Sequence, residues 1–253
     1  MILMEILSAE DIIKVYEWNL EVNPTNVLNG INLSIESGEF TAIMGQSGSG
    51  KTTLLNILSG IDKPTSGTVK IMNQYITSLD KTERSIFRRE NLGIIFQNFN
   101  LLDNITLAEN AALPLIFKGA GKEKINEKIE EYFTFFNIYN IRNKYPYNVS
   151  VGEQQRVTAC RALINDPCII LADEPTSSID PNTSKKFMKY LKKINDQKKA
   201  TILMSTHDIY AASYCSRVIF IKSGKIFADI YKKGDQHTFF NRILDTLAVI
   251  SGE

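Results

Sequence analysis

Eight consecutive residues, Gly45-Gln46-Ser47-Gly48-Ser49-Gly50-Lys51-Thr52, carry the clearest chemistry in the chain. They satisfy G-x-x-x-x-G-K-[S/T] at every fixed position. Such a loop turns successive backbone N–H groups inward, and the helix after it adds the positive end of its dipole. Together they form a nest for nucleotide phosphates. Lys51 is expected to reach the terminal phosphates, and the Thr52 hydroxyl to ligate Mg2+. Glycines allow close phosphate approach and dihedrals that a Cβ forbids. Ser47, Ser49 and Thr53 complete the candidate phosphate-binding set with Gly45, Gly48 and Gly50. The flanks match the context the motif requires. Phe40–Met44 reads as a short buried strand, and Thr53–Leu58 as a helix.

Three more apolar runs end in polar residues. Leu92–Phe96 leads to Gln97, Cys168–Ala172 to Asp173-Glu174, and Thr201–Ser205 to His207. Continuous apolar runs of this length suit strands buried on both faces of a parallel sheet. Crossover helices put the C-terminal ends of such strands at one edge, where ligands bind. Four segments far apart in sequence are therefore expected to converge on one nucleotide. Asp173 would hold Mg2+ directly or through water, as in P-loop NTPases. Glu174 would orient and polarise the attacking water. Two adjacent carboxylates in an apolar sheet need a metal or lysine partner. Gln97 would either ligate the metal or position water. His207 would hydrogen-bond the γ-phosphate or the water.

The elements that position these residues are partly visible. The chain reads as β-rich up to Gly38, with Asn29-Gly30 as a turn before the alternating strand of Ile31, Leu33 and Ile35. Residues 98–162 look helical (107–115, 122–136 and 152–163), with Pro114 interrupting the first helix. This segment is expected to be a helical subdomain inserted into a single domain spanning 1–253. Its Tyr132–Phe136 cluster reads as subdomain core in preference to a docking surface. Asp180-Pro181 has the form of a helix cap followed by proline at the first helical position. A hairpin over Val218–Phe227 and a helix over Thr238–Val249 end the pattern.

Composition removes several function classes. With 29 Lys+Arg against 28 Asp+Glu, the net charge of +1 gives no general attraction to nucleic acid, and no basic stripe is visible. Cys160, Cys168 and Cys215 lie in apolar stretches without metal spacing and read as buried free thiols. No run approaches the roughly 18 apolar residues of a membrane span. Met1–Glu5 lacks the regions of a leader peptide, so a membrane role is expected to come through a partner.

Val149-Ser150-Val151-Gly152-Glu153-Gln154-Gln155-Arg156 resembles the signature motif of ABC ATPases. The whole chain is similar to one of their nucleotide-binding subunits. In order, it shows Tyr16, Gly45–Thr52, Gln97, the signature, Asp173-Glu174-Pro175-Thr176, Ser178-Ile179-Asp180 and Thr206-His207-Asp208. These match the A-loop, Walker A, Q-loop, signature, Walker B, D-loop and H-loop. The resemblance implies an α/β ABC ATPase domain of P-loop type. It would have a mostly parallel core sheet, an N-terminal antiparallel β subdomain and the helical insert. It also implies ATP and Mg2+ as cofactors and a head-to-tail dimer with a second copy. Ser150 and the Gly152 N–H of one copy would contact the γ-phosphate in the other's site, Glu153 and Asp180 would join the nucleotide-binding set, and Tyr16 would stack on adenine. One departure stands out, because Val151 replaces a glycine of the usual Leu-Ser-Gly-Gly. A β-branched residue there restricts the backbone and adds bulk, which is expected to slow hydrolysis or weaken ATP-driven closure.

Asn91–Leu102, Ala108-Glu109-Asn110, Ala211–Gly224 and Thr238-Phe239-Phe240 resemble the branch containing macrolide-export and lipoprotein-release ATPases. Within it, the likeness is to bacitracin-type antimicrobial-peptide resistance exporters of Gram-positive bacteria. This implies work on the cytoplasmic face of the membrane, through a transmembrane permease that in such systems also signals to a sensor histidine kinase. The alternatives are a lipoprotein-release or cell-division system, and an ATP-gated regulatory subunit with little hydrolysis.

Overall fold

The protein is described by a computed structural model covering residues 4–16 and 24–252. Met1–Leu3 of the stretch read for a leader lie outside the described residues. Strands β1 (Glu5–Tyr16) and β2 (Thr25–Glu36) pair antiparallel, and β3 (Phe40–Met44) then enters the core. The glycine loop follows, then α1 (Lys51–Leu58), β4 (Ser66–Ile71), β5 (Gln74–Tyr75), α2 (Lys81–Asn91) and β6 (Leu92–Ile95). Between β6 and β7 the chain forms α3 (Leu107–Phe117), α4 (Lys122–Phe135) and α5 (Val151–Leu163). The core resumes with β7 (Ile169–Asp173), α6 (Pro181–Lys198), β8 (Ile202–Thr206) and α7 (Ile209–Ala212). Strands β9 (Arg217–Lys222) and β10 (Lys225–Tyr231) form the last hairpin, and α8 (Gln236–Ser251) follows.

Two sheets result. One is antiparallel, in the order β2-β1-β4-β5. The other has the order β10-β9-β3-β8-β7-β6, and only the β10–β9 pairing in it is antiparallel. Side chains alternate across the pleat, so each central strand feeds two cores. Phe40, Ala42, Met44, Ile170, Ala172, Ile202 and Met204 join the core under α3–α6. Ile43, Ile169, Leu171, Leu203 and Ile219 join the core shared with α1 and the antiparallel sheet. Each of the larger side chains (Phe, Met, Ile, Leu) contributes about 1.5–3 kcal/mol on burial. Tyr132, Phe133 and Phe136 are buried, so this aromatic cluster is core. Cys160 and Cys215 are buried and Cys168 half-buried, and burial pushes the Cys168 thiol up to about 11.

Two local expectations are corrected. Asn29-Gly30 is not a turn but lies inside β2. Gly30 has φ 78°, and the facing strand holds Asp11 at φ 47° beside a register shift between Ala9 and Ile12. The glycine therefore serves an irregular ladder, which a turn-forming pair also accommodates. Pro114 does not interrupt its helix, because α3 continues through it to Phe117. The loss of one backbone donor costs about 3 kcal/mol. Burial of Leu107, Ala111, Ala112 and Leu115 on one face offsets it.

Candidate functional site

Strands β3, β8, β7 and β6 are consecutive and parallel, so their C-terminal ends share one edge of the sheet. At that edge lies a cleft of about 700 Å³ lined by Tyr16, Thr25, Val27, Ser47, Gly48, Gly50, Lys51, Thr52, Thr53, Gln97, Glu174 and His207. Gly45, Ser49 and Asp173 are not among the residues that line it. The loop holds its shape through residues a side chain would disturb. Gly50 caps α1 with φ 100°, and a Cβ there would stand 2.7 Å from Leu28 Cδ2.

Lys51 is only 8% exposed. Its Nζ donates to the Gly45 carbonyl at 2.9 Å and the Gln46 carbonyl at 3.1 Å, and lies 3.9 Å from Glu174 Oε1. Glu174, 9% exposed, places its other carboxylate oxygen 2.9 Å from His207 Nδ1. One carboxylate thus spans a lysine and a histidine from different strand ends, which meets the partner requirement of a buried acid. Thr52 Oγ1 donates to Asp173 Oδ1 at 3.0 Å, so a hydroxyl and a carboxylate from α1 and β7 meet at one point. These are hard oxygen donors, the set Mg2+ prefers. Among the described residues no three His, Cys, Asp or Glu cluster in a metal-holding group, so the acid–hydroxyl pair stands as a partial ligand set.

Two features were not legible from the residues alone. Ser205 donates to Asp173 Oδ1 at 2.6 Å, while its Oγ accepts the Glu174 N–H at 3.0 Å. It therefore fixes both acids from the neighbouring strand, where Asp173 and Ser205 are register partners. Glu174 itself takes φ 45°, in the left-handed region that non-glycine residues avoid. Both acids reach the start of α1, Asp173 at Thr52 and Glu174 at Lys51.

The signature segment lies elsewhere. Ser150 caps α5, and Glu153 answers in a capping box: Ser150 N–H and Oγ each donate to Glu153 Oε2 at 2.8 Å, and Glu153 N–H returns to Ser150 Oγ at 3.3 Å. Burial pushes the Glu153 carboxyl up, but the Ser150 hydrogen bonds and the nearby Arg156 and Lys144 hold it below the usual range. Gly152 packs on α6, and a Cβ there would collide with the Thr183 methyl. Asp180 caps α6 by accepting from Asn182 and Thr183 N–H, and the Thr183 side chain followed by these backbone bonds holds its carboxyl below the usual range. Ser150, Gly152, Glu153 and Asp180 do not line the cleft. Val151 is the first residue of α5, has no left-handed backbone and is 44% exposed. Val151 therefore occupies a backbone conformation open to a β-branched residue, which leaves its bulk as the main departure.

A glycine loop at the end of one strand, with an acid pair at the end of another, makes this a nucleoside-triphosphate-binding α/β protein. Residues 28–177 match the ABC transporter family model. The chain is 46% identical to the bacitracin export ATP-binding protein BceA of Halalkalibacterium halodurans, over 98% of both chains. It is 38% identical to the lipoprotein-releasing system ATP-binding protein LolD of Blochmanniella floridana, over 87% of this chain and 93% of that one. A dimeric post-hydrolysis structure of the ATP-binding cassette MJ0796 bound to ADP and Pi superposes with a TM-score of 0.83 at 39% identity, covering 90% of this chain and 99% of that one. The chain belongs to the ABC transporter family, as an ATP-binding subunit with ATPase activity. The α/β class and the paired antiparallel and mostly parallel sheets expected from sequence are borne out. No described helix is long and apolar enough to cross a membrane.

Proposed function

We propose that this chain powers an exporter that removes antimicrobial peptides of the bacitracin class, as one of two copies on the cytoplasmic face of a transmembrane permease. The observation that carries the substrate class is the 46% identity to a bacitracin export subunit across nearly the whole chain. The lower identity to a lipoprotein-releasing subunit favours it over that alternative. A sensor histidine kinase reached through the permease belongs to the same reading.

Within the site, Lys51 and the loop amides bind the phosphates. Thr52 and Asp173, with Gln97 from the lining of the same cleft, would hold Mg2+, which shields phosphate charge when bound. The Glu174 carboxylate takes a proton from the attacking water, and His207, 2.9 Å away, holds that carboxylate toward the phosphate end of the cleft. Tyr16 stacks on adenine. Ser150 and the Gly152 N–H, lying off the cleft, serve the cleft of a second copy. Segment 98–162 acts as the subdomain that carries them there. The buried Lys51–Glu174 pair, met from the exposed side by His207, favours turnover over an ATP-gated regulatory subunit with little hydrolysis.

Copurification with a permease partner, followed by ATPase assays with bacitracin and with a lipoprotein, tests the reading. Stimulation by the peptide is expected, and stimulation by the lipoprotein alone would overturn it.

A further inference from the structure

Tyr16 ends β1 and borders the cleft, and its hydroxyl is engaged on the side of α1. It donates to Asp62 Oδ2 at 2.8 Å. The same carboxylate receives Lys14 Nζ, at 2.9 Å from Oδ1 and 2.8 Å from Oδ2. Lys14 precedes Tyr16 by two strand positions, so both side chains leave the same face. Its ammonium also lies 4.7 Å from the tyrosine ring centroid and donates to the Lys63 carbonyl at 2.7 Å. Asp62 is itself anchored to α1, since the N–H groups of Ile61 and Asp62 both donate to the Asn56 carbonyl, at 2.9 and 3.0 Å. A hydroxyl donating to an ionised carboxylate makes a short, strong bond. Here it restrains an aromatic ring that borders a ligand cleft.

We propose that Asp62 is a positioning residue for the base. Through its hydrogen bond to Tyr16 it fixes the ring against which adenine stacks, and it ties that ring to the helix that carries the phosphate loop. This rests on the reading of Tyr16 as the adenine contact. The helix begins at Lys51, on the phosphates, and the turn at its far end holds the aromatic ring through Asp62. Base and phosphate contacts are thereby held at a set separation before the nucleotide arrives. Ordering the ring in advance lowers the entropic cost of binding. Burial and the bond to Asp62 raise the Tyr16 pKa, and the bonds from Lys14 and Tyr16 keep Asp62 ionised against its own burial.

The test compares affinities of the full chain for ATP and for inorganic tripolyphosphate, with thermal melting as a check on folding. Tyr16→Phe and Asp62→Asn are each expected to weaken ATP binding by about five-fold, the size of one modest contact. The double variant should be no weaker than either single one, and tripolyphosphate affinity should not change. Additive losses, or equal losses for tripolyphosphate, would show that Asp62 acts on the fold or the phosphate loop and overturn the proposal. Tyr16→Ala separates the two layers. If it weakens ATP binding while Asp62→Asn and Tyr16→Phe do not, the adenine contact stands and the role of Asp62 falls. If Tyr16→Ala binds ATP normally, both fall.

Discussion

At the edge of the large sheet, Lys51, Asp173, Glu174 and His207 are joined by a polar network that also takes in Thr52 and Ser205. At the N-terminus of α5, Ser150 and Glu153 bond chiefly to each other, and Val151 faces outward. The first region is built from strand ends that the sheet holds in register, so its groups are fixed before a ligand arrives. The second is a helix cap that packs on α6 through Gly152, close to Thr183. The difference separates where chemistry is prepared from where a partner is met. Preorganised groups act with little reorganisation, whereas an exposed helix end can meet a surface that comes and goes.

The contrast is breakable, beginning at the sheet edge. Lys51→Ala removes the main counter-charge and should weaken ATP binding by at least about 100-fold, read by equilibrium titration. Glu174→Gln keeps size and hydrogen-bonding shape but not basicity. Turnover should fall by about 10²- to 10⁴-fold while ATP still binds, and a stable dimer should appear in size-exclusion chromatography with ATP and Mg2+. Normal turnover in that variant would remove Glu174 as the base. At the α5 end the expected effects shrink. Gly152→Ala forces α5 away from Thr183 and should cost about 1–3 kcal/mol of stability in denaturant unfolding. Val151→Gly should raise turnover by only about two-fold, because bulk alone is relieved. A large gain there would mean the cap, and not the sheet edge, limits the rate.

Much of the sheet edge was legible from sequence because each piece is local. A glycine loop ending in Lys51-Thr52 announces itself, and so do apolar runs closing on Gln97, Asp173-Glu174 and His207. Ser205 was not legible. Its value depends on β8 lying beside β7, and strand order is a property of the whole topology. Asp62 was hidden for the same reason, since its partner Tyr16 lies 46 positions earlier. Gly30 and Pro114 misled for the opposite reason. At Gly30 the backbone is irregular as local propensity suggests, yet strand pairing keeps β2 continuous, whereas at Pro114 tertiary burial overrides the propensity and α3 runs straight through.

The left-handed backbone at Glu174 carries a consequence for how this chain changes under selection. Holding a non-glycine residue at φ 45° costs about 1–3 kcal/mol. Glycine at 174 would release that strain, and it would also remove the carboxylate. A screen that rewards heat resistance should therefore enrich Glu174→Gly, whereas a screen that rewards ATP turnover should discard it. Variants gathered for robustness alone would drift toward a well-folded chain that no longer turns over.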